Sequence, residues 1–215
     1  MSVTDERLAS KSVEKFLEVL GSDAPTPGGG AAGAIAGATG AALIAMVGRL
    51  TVGKEGFEDL QDRMQALVER ADAARLAFLQ LADRDAHAFD DVMVAFKMPK
   101  ATDEEKKVRS AAIQAGYEQA ASVPLEIARA AVDLMELAED ATAMGNPQAA
   151  SDGVSGAAHL YCAAACGIAN VEINAASLKD VGRRTALLDE VAALRGHADQ
   201  SMRESQTAFQ LRLPS

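Results

Sequence analysis

Two aspartates stand out as residues able to move a proton, because each sits where the surrounding pattern is otherwise apolar. From Phe57 an alternating three–four spacing selects Phe57, Leu60, Met64, Leu67, Ala71, Ala74, Phe78, Leu81, Asp85, Ala88, Val92 and Ala95, and Asp85 is the single charged member. An acid there is desolvated, which lifts its pKa toward useful values, or held in a polar pocket within the bundle, or else a registry device or bend residue facing water. Asp152 follows Gly145-Asn146-Pro147 in the first turn of a second uncharged stretch, where the helix dipole favours its ionised form. Beyond it Ser155, His159, Cys162, Cys166, Asn170 and Asn174 recur every three or four residues. Such a polar seam either hydrogen-bonds between helices or lines a pocket.

A third feature is Pro25-Thr26-Pro27-Gly28-Gly29-Gly30, which runs into an Ala/Gly-rich segment carrying no Asp, Glu, Lys or Arg until Arg49. Glycines leave backbone N–H groups uncovered, and a helix N-terminus opening there attracts anions and polar ligands. The alternative is a plain turn between helices. Lys54 closes this segment after Gly53, and Lys100 follows Pro99; each alone is an ordinary helix-end or loop lysine. Other chemistries lack their residues. The triplet has no Lys-Ser/Thr ending of a phosphate loop, and no Gly-x-Ser-x-Gly elbow accompanies His87, His159 or His197. His159, Cys162 and Cys166 have no second paired motif to close a zinc site, so no metal is expected.

The elements that must position these residues are predicted to be helices throughout. Aromatic residues make up 4% of the 215-residue chain against 49% hydrophobic residues, so alanine and leucine must do the packing, which favours an all-α fold. Helices are expected over about 4–20, 31–52, 57–95, from 102 or 103 to about 144, 149–178 and 185–209, with Pro124 kinking or dividing the fourth. The third, about 60 Å long at 1.5 Å per residue, predicts an elongated up-and-down bundle. The second and fifth are expected to be buried Ala/Gly-rich helices, the second with small residues at Gly29, Gly33, Gly37 and Ala41. No linker or repeat divides the chain, so residues 1–215 are read as one domain.

A net charge of −10 without a basic run argues against nucleic acid as a partner. The charge-free segment holds seven glycines between Ala24 and Gly48, which is poor membrane-inserting composition. Residues 1–20 carry seven charged side chains rather than a signal peptide, and the two cysteines read as reduced thiols, so a cytoplasmic protein is expected.

Taken in order, Pro25-Thr26-Pro27-Gly28-Gly29-Gly30, Leu50-Thr51-Val52-Gly53-Lys54, Asp85-Ala86-His87-Ala88-Phe89, Pro99-Lys100, Val123-Pro124-Leu125, Gly145-Asn146-Pro147 with Ser151-Asp152, and Asn170-Val171-Glu172-Ile173-Asn174 resemble the cyclodeaminase/cyclohydrolase family of folate enzymes. The likeness runs from about Phe16 to Asp180. It implies a helical homodimer acting on one-carbon tetrahydrofolates with no metal or redox cofactor. Two activities go with the family: cyclodeamination of formiminotetrahydrofolate, and interconversion of methenyl- and formyltetrahydrofolate by addition of water. A chain of this length, with no room for a fused transferase, looks more like the methenyltetrahydrofolate cyclohydrolase. A non-catalytic helical scaffold is the rival from another class. On the enzyme reading, Asp85 is the first candidate for proton transfer and Asp152 the second, while Lys54 polarises the developing carbonyl oxygen. Thr26, Pro27, the Gly28–Gly30 amides, Asn146 and Asn170 bind substrate, and Lys100 meets its glutamate tail. The family commonly has Ser after the triplet where this chain has Ala31, so any ligand bond from that hydroxyl is lost or supplied elsewhere.

Overall fold

The computed structural model describes residues 7 to 213, and within them every regular element is helical. The helices are α1 (Val13–Leu20), α2 (Gly29–Arg49), α3 (Gln61–His87), α4 (Asp90–Phe96), α5 (Asp103–Met144), α6 (Ala150–Ala175) and α7 (Val181–Arg212). Short 3-10 turns at Leu8–Ser10, Glu58–Leu60 and Pro147–Ala149 punctuate them.

Helices α2, α3, α5 and α6 form a four-membered bundle, and α7 lies against α5 and α6. One core runs through the four bundle helices and includes Ile44, Met64, Phe78, Ile127 and Leu160. A second joins α5, α6 and α7 through Leu125, Ile168, Val171, Leu187 and Val191. Cross-helix ion pairs such as Arg63–Asp140, Arg129–Glu190 and Arg195–Glu172 lie on the outside, where each contributes at most about 1 kcal/mol.

Small residues let the central helices approach. A Cβ on Gly40 would lie 2.8 Å from the Gly156 carbonyl oxygen, and one on Gly156 would lie 3.2 Å from that of Gly40. Backbone therefore meets backbone where α2 crosses α6. Farther along, Gly33 faces Cys166 and Gly29 faces Asn170, so the two helices run antiparallel.

Several boundaries differ from expectation. Residues 4–6 of the expected first helix lie outside the described residues, and α1 starts only at Val13, after Ser12 accepts a hydrogen bond from the Lys15 amide. The expected 57–95 helix is divided: α3 ends at His87, and Ala88 and Phe89 turn the chain into α4. The three–four stripe nevertheless keeps its phase, with Val92 and Ala95 buried in α4. The longest helix is instead α5, 42 residues and about 63 Å, entered through a capping box of Thr102 and Glu105. Pro124 does not divide it, because the lost bond is replaced from a neighbouring helix. Helix α6 is only part-buried: Ser155, Cys162 and Ile173 are exposed. Both α2 and the stretch Pro147–Ala175 are long and apolar enough to cross a membrane by composition, and both pack into the bundle.

Gly40→Ala is expected to lower the unfolding free energy by roughly 1–3 kcal/mol through overpacking, although alanine is the better helix former. Urea unfolding followed by circular dichroism measures this, and an unchanged midpoint would mean that the crossing can spread at no cost.

Candidate active site

The last turn of α3 points its acid at the first turn of α2. Gly28 is the N-cap of α2 in extended conformation, and with no capping side chain the first amides lack partners from their own helix. Asp85 accepts a hydrogen bond from the Ala31 amide, so one helix supplies the anion that another helix's N-terminus requires. The fit depends on Gly30: a Cβ there would fall on the Asp85 carboxylate. Burial is the larger influence and raises the Asp85 pKa above its ordinary value, while the Ala31 bond works in the opposite direction. The result is a carboxyl group shifted toward proton transfer.

Asp85 and Gly28–Gly30 open onto a cavity of about 420 Å³, within the range of small-molecule sites. Thr26, Ala88, Phe89, Tyr117, Pro124, Asn170 and Asn174 share its walls. The Phe89 ring meets Tyr117 edge-on at 6.2 Å, Phe96 meets Tyr117 edge-on at 6.4 Å, and the Arg109 guanidinium lies over the Phe96 ring. An aromatic wall faces an acid and a row of backbone amides, an arrangement suited to a flat heterocycle with polar edges.

Of the residues predicted from sequence, Thr26, Gly28, Gly29, Gly30, Asp85 and Asn170 line this one cavity. Pro27 is buried immediately behind it. Lys54, Asn146 and Asp152 belong to the other end of the bundle. Lys54 is exposed beyond the C-terminus of α2, about 30 Å along that helix from Gly30. Asn146 is committed to structure there: its backbone amide donates to Thr51 Oγ1 and its Nδ2 to the Leu50 carbonyl, while its Oδ1 accepts from the Gln148 amide. Asp152 lies in the first turn of α6, about 27 Å from Asn170. Lys100 is exposed before α5 and is absent from the cavity wall. Within a single chain the structure does not bring Lys54, Asp152, Asn146 or Lys100 to Asp85.

Sequence reasoning missed Phe89, Tyr117 and Pro124 as wall residues. Phe89 could have been found from the Asp85-Ala86-His87-Ala88-Phe89 segment, whereas Tyr117 carries no local signal, since it reads as a core position of α5. Cys166 is a poor nucleophile. Burial first, and the neighbouring Cys162 second, push the Cys166 thiol up to about 11.

The family model for formiminotransferase-cyclodeaminase matches residues 12–193. The chain belongs to the formiminotransferase-cyclodeaminase family. A methenyltetrahydrofolate cyclohydrolase of Methylorubrum extorquens is 37% identical over 88% of this chain and 91% of its own length. The formimidoyltransferase-cyclodeaminase of Sus scrofa is also 37% identical, over 82% of this chain but only 32% of that longer protein. Among family structures, formiminotetrahydrofolate cyclodeaminase from Thermotoga maritima superimposes with a TM-score of 0.84 at 30% identity, covering 94% of this chain and 98% of that one.

Because the folded state holds the Asp85 proton to higher pH than the unfolded chain does, its contribution to stability is complete below the ordinary carboxylate pKa and is lost as pH rises through the raised value. Asp85→Asn removes that loss. The variant is expected to be at least as stable as the parent near pH 7, with a gap that grows from about pH 3 upward. Chemical unfolding across that range tests the sign, and a variant that loses stability as pH rises would reverse it.

Proposed function

We propose that this chain is a methenyltetrahydrofolate cyclohydrolase that adds water to 5,10-methenyltetrahydrofolate and gives 10-formyltetrahydrofolate. The observation that carries the reading is Asp85, an acid seated on the glycine-opened end of α2 inside a cavity with an aromatic wall. Likeness to the Methylorubrum extorquens cyclohydrolase over nearly the whole length of both chains supports the activity.

The methenyl carbon bridges N5 and N10 as a cationic amidine, so it accepts water without a covalent nucleophile, a metal or a redox cofactor. Asp85 takes one proton as the water oxygen bonds to that carbon. The C–N5 bond then breaks as the hydroxyl becomes the formyl oxygen. One of the two protons lost by water ends on N5, and the other leaves to solvent. Asp85 is the group that carries a proton between oxygen and nitrogen, and its charge also stabilises the substrate cation. The amides at Gly28–Gly30 and the walls of the cavity fix the reacting carbon.

Loss of methenyltetrahydrofolate absorbance over a buffer blank measures the reaction. Asp85→Asn is expected to cut kcat by at least about 100-fold, within the range for removal of an acid–base group, while helicity is retained. Near-normal turnover in the variant would remove Asp85 from the mechanism. If the parent leaves methenyltetrahydrofolate untouched but releases ammonia from formiminotetrahydrofolate, the sister activity replaces this one; failure of both leaves the scaffold reading.

The active form on this proposal is a homodimer formed through the outer faces of α2 and α6. Those faces carry uncharged side chains such as Ala32, Thr39, Met46, Cys162, Ala165 and Ile173, with Ile173 68% exposed. A two-fold axis across antiparallel helices exchanges their ends. Lys54 and Asp152 of one copy would then meet the Asp85 cavity of the other. Co-refolding Asp85→Asn with Lys54→Met at equal amounts should restore about a quarter of parental activity if each site draws on both copies. No recovery, with dimers present by light scattering, would confine each site to one chain.

A further inference from the structure

Pro124 stands inside α5 and has no N–H, so the carbonyl of Ala120, four residues earlier, has no helical donor. The missing bond comes from α6: Asn174 Nδ2 donates to the Ala120 carbonyl at 3.1 Å and to the Asn170 carbonyl at 2.9 Å. Both partners are carbonyl oxygens, which only accept, so the orientation of the amide is fixed and its two hydrogens are spent. Close backbone contact holds the register, since a Cβ on Gly167 would lie 2.6 Å from the Pro124 carbonyl oxygen. Asn170 is oriented in the same sense, with Nδ2 donating to the Cys166 carbonyl at 2.8 Å.

Two amide oxygens, those of Asn170 and Asn174, are therefore left as acceptors without a donor among the described residues, and both side chains line the Asp85 cavity beside Pro124 and Ala120. No lysine or arginine is among the residues lining that cavity. A wall of acceptors selects a ligand edge made of N–H donors. A reduced pterin has two adjacent donors, its 2-amino group and N3–H, flanked by the acceptors N1 and O4.

We propose that Asn174 is a specificity-determining residue: the Asn170 carbonyl, which does not depend on the proline, and the Ala120 carbonyl hold its Nδ2 away from the cavity, so that its Oδ1 accepts from the N–H groups of the pterin and orients the ring over Asp85. This rests on the folate reading of the site. It differs from a purely structural role in which Asn174 only satisfies the Ala120 carbonyl, and the proline separates the two. In Pro124→Ala the helix regains its own donor, so a structural need for Asn174 disappears.

The test is a double-mutant cycle of Asn174→Ala and Pro124→Ala, read by Tm, by steady-state kinetics on methenyltetrahydrofolate, and by calorimetric binding of 5-formyltetrahydrofolate. Asn174→Ala in the parent is expected to lower Tm and to raise both KM and Kd about tenfold, with a smaller change in kcat. In the Pro124→Ala background the Tm loss should vanish while the tenfold rise in KM and Kd persists. Disappearance of the KM and Kd effects together with the Tm effect would overturn the proposal and leave Asn174 as a helix repair alone. A parent that binds 5-formyltetrahydrofolate without turning over methenyltetrahydrofolate would overturn the assigned reaction, and the Kd cycle would still decide the role of Asn174. A parent that binds no folate would overturn both.

Discussion

Backbone contact between α2 and α6 is the constraint on which the rest of the molecule depends. With hydrogen atoms at Gly40 and Gly156, the helix axes come closer than any larger pair would permit. Alanines at 31, 34, 38, 41 and 45 then bury completely or nearly so, and α3 closes on the adjacent face of α2 with Phe78 against Gly37. Dispersion between closely spaced backbones replaces the large aromatic cores that this composition cannot supply. Because α3 is drawn in that tightly, its final turn reaches the amides at the start of α2. The position of Asp85 is thus a result of packing set up some 15 Å away along the same helix.

The site couples two needs that each helix leaves unmet. The first turn of α2 has amides without partners, and the carboxyl group of Asp85 has been partly removed from water. Their bond satisfies part of both. It leaves the acid less comfortable when ionised than it would be on the surface, which is the condition that makes a carboxyl group useful near neutral pH. A similar exchange occurs across the cavity, where α5 lacks a donor at Pro124 and α6 provides one. Both walls are held by bonds between helices rather than within them.

Much of this was readable from the residues. Periodicity identified α2, α3, α5, α6 and α7, and the isolated acid in the α3 stripe marked the cavity, because a lone charge at an apolar phase is costly unless something receives it. Three things were not readable. Ala88 and Phe89 are compatible with helix, so the turn between α3 and α4 leaves no composition signal. Pro124 reads as a break, since the bond that mends α5 comes from a residue fifty positions away. The antiparallel run of α2 and α6 is a tertiary fact, and without it Gly30 and Lys54 look like members of one pocket when a whole helix separates them.

The wall formed by Phe89 and Tyr117 has a different standing from the rest of the cavity. Helix α4 is seven residues long and packs chiefly on α5, with Met93, Val94 and Phe96 partly in solvent, whereas α2, α3 and α6 are locked into the central core. Detaching α4 uncovers Val92 and Ala95 but no member of the two cores, so it costs a fraction of global unfolding. The molecule accordingly has a lightly held side and a tightly held side: Phe89 stands at the start of α4, outside both cores, while the acid and the amides of α2 are set by the central packing. Entry and exit of a bulky guest need not disturb the groups that act on it.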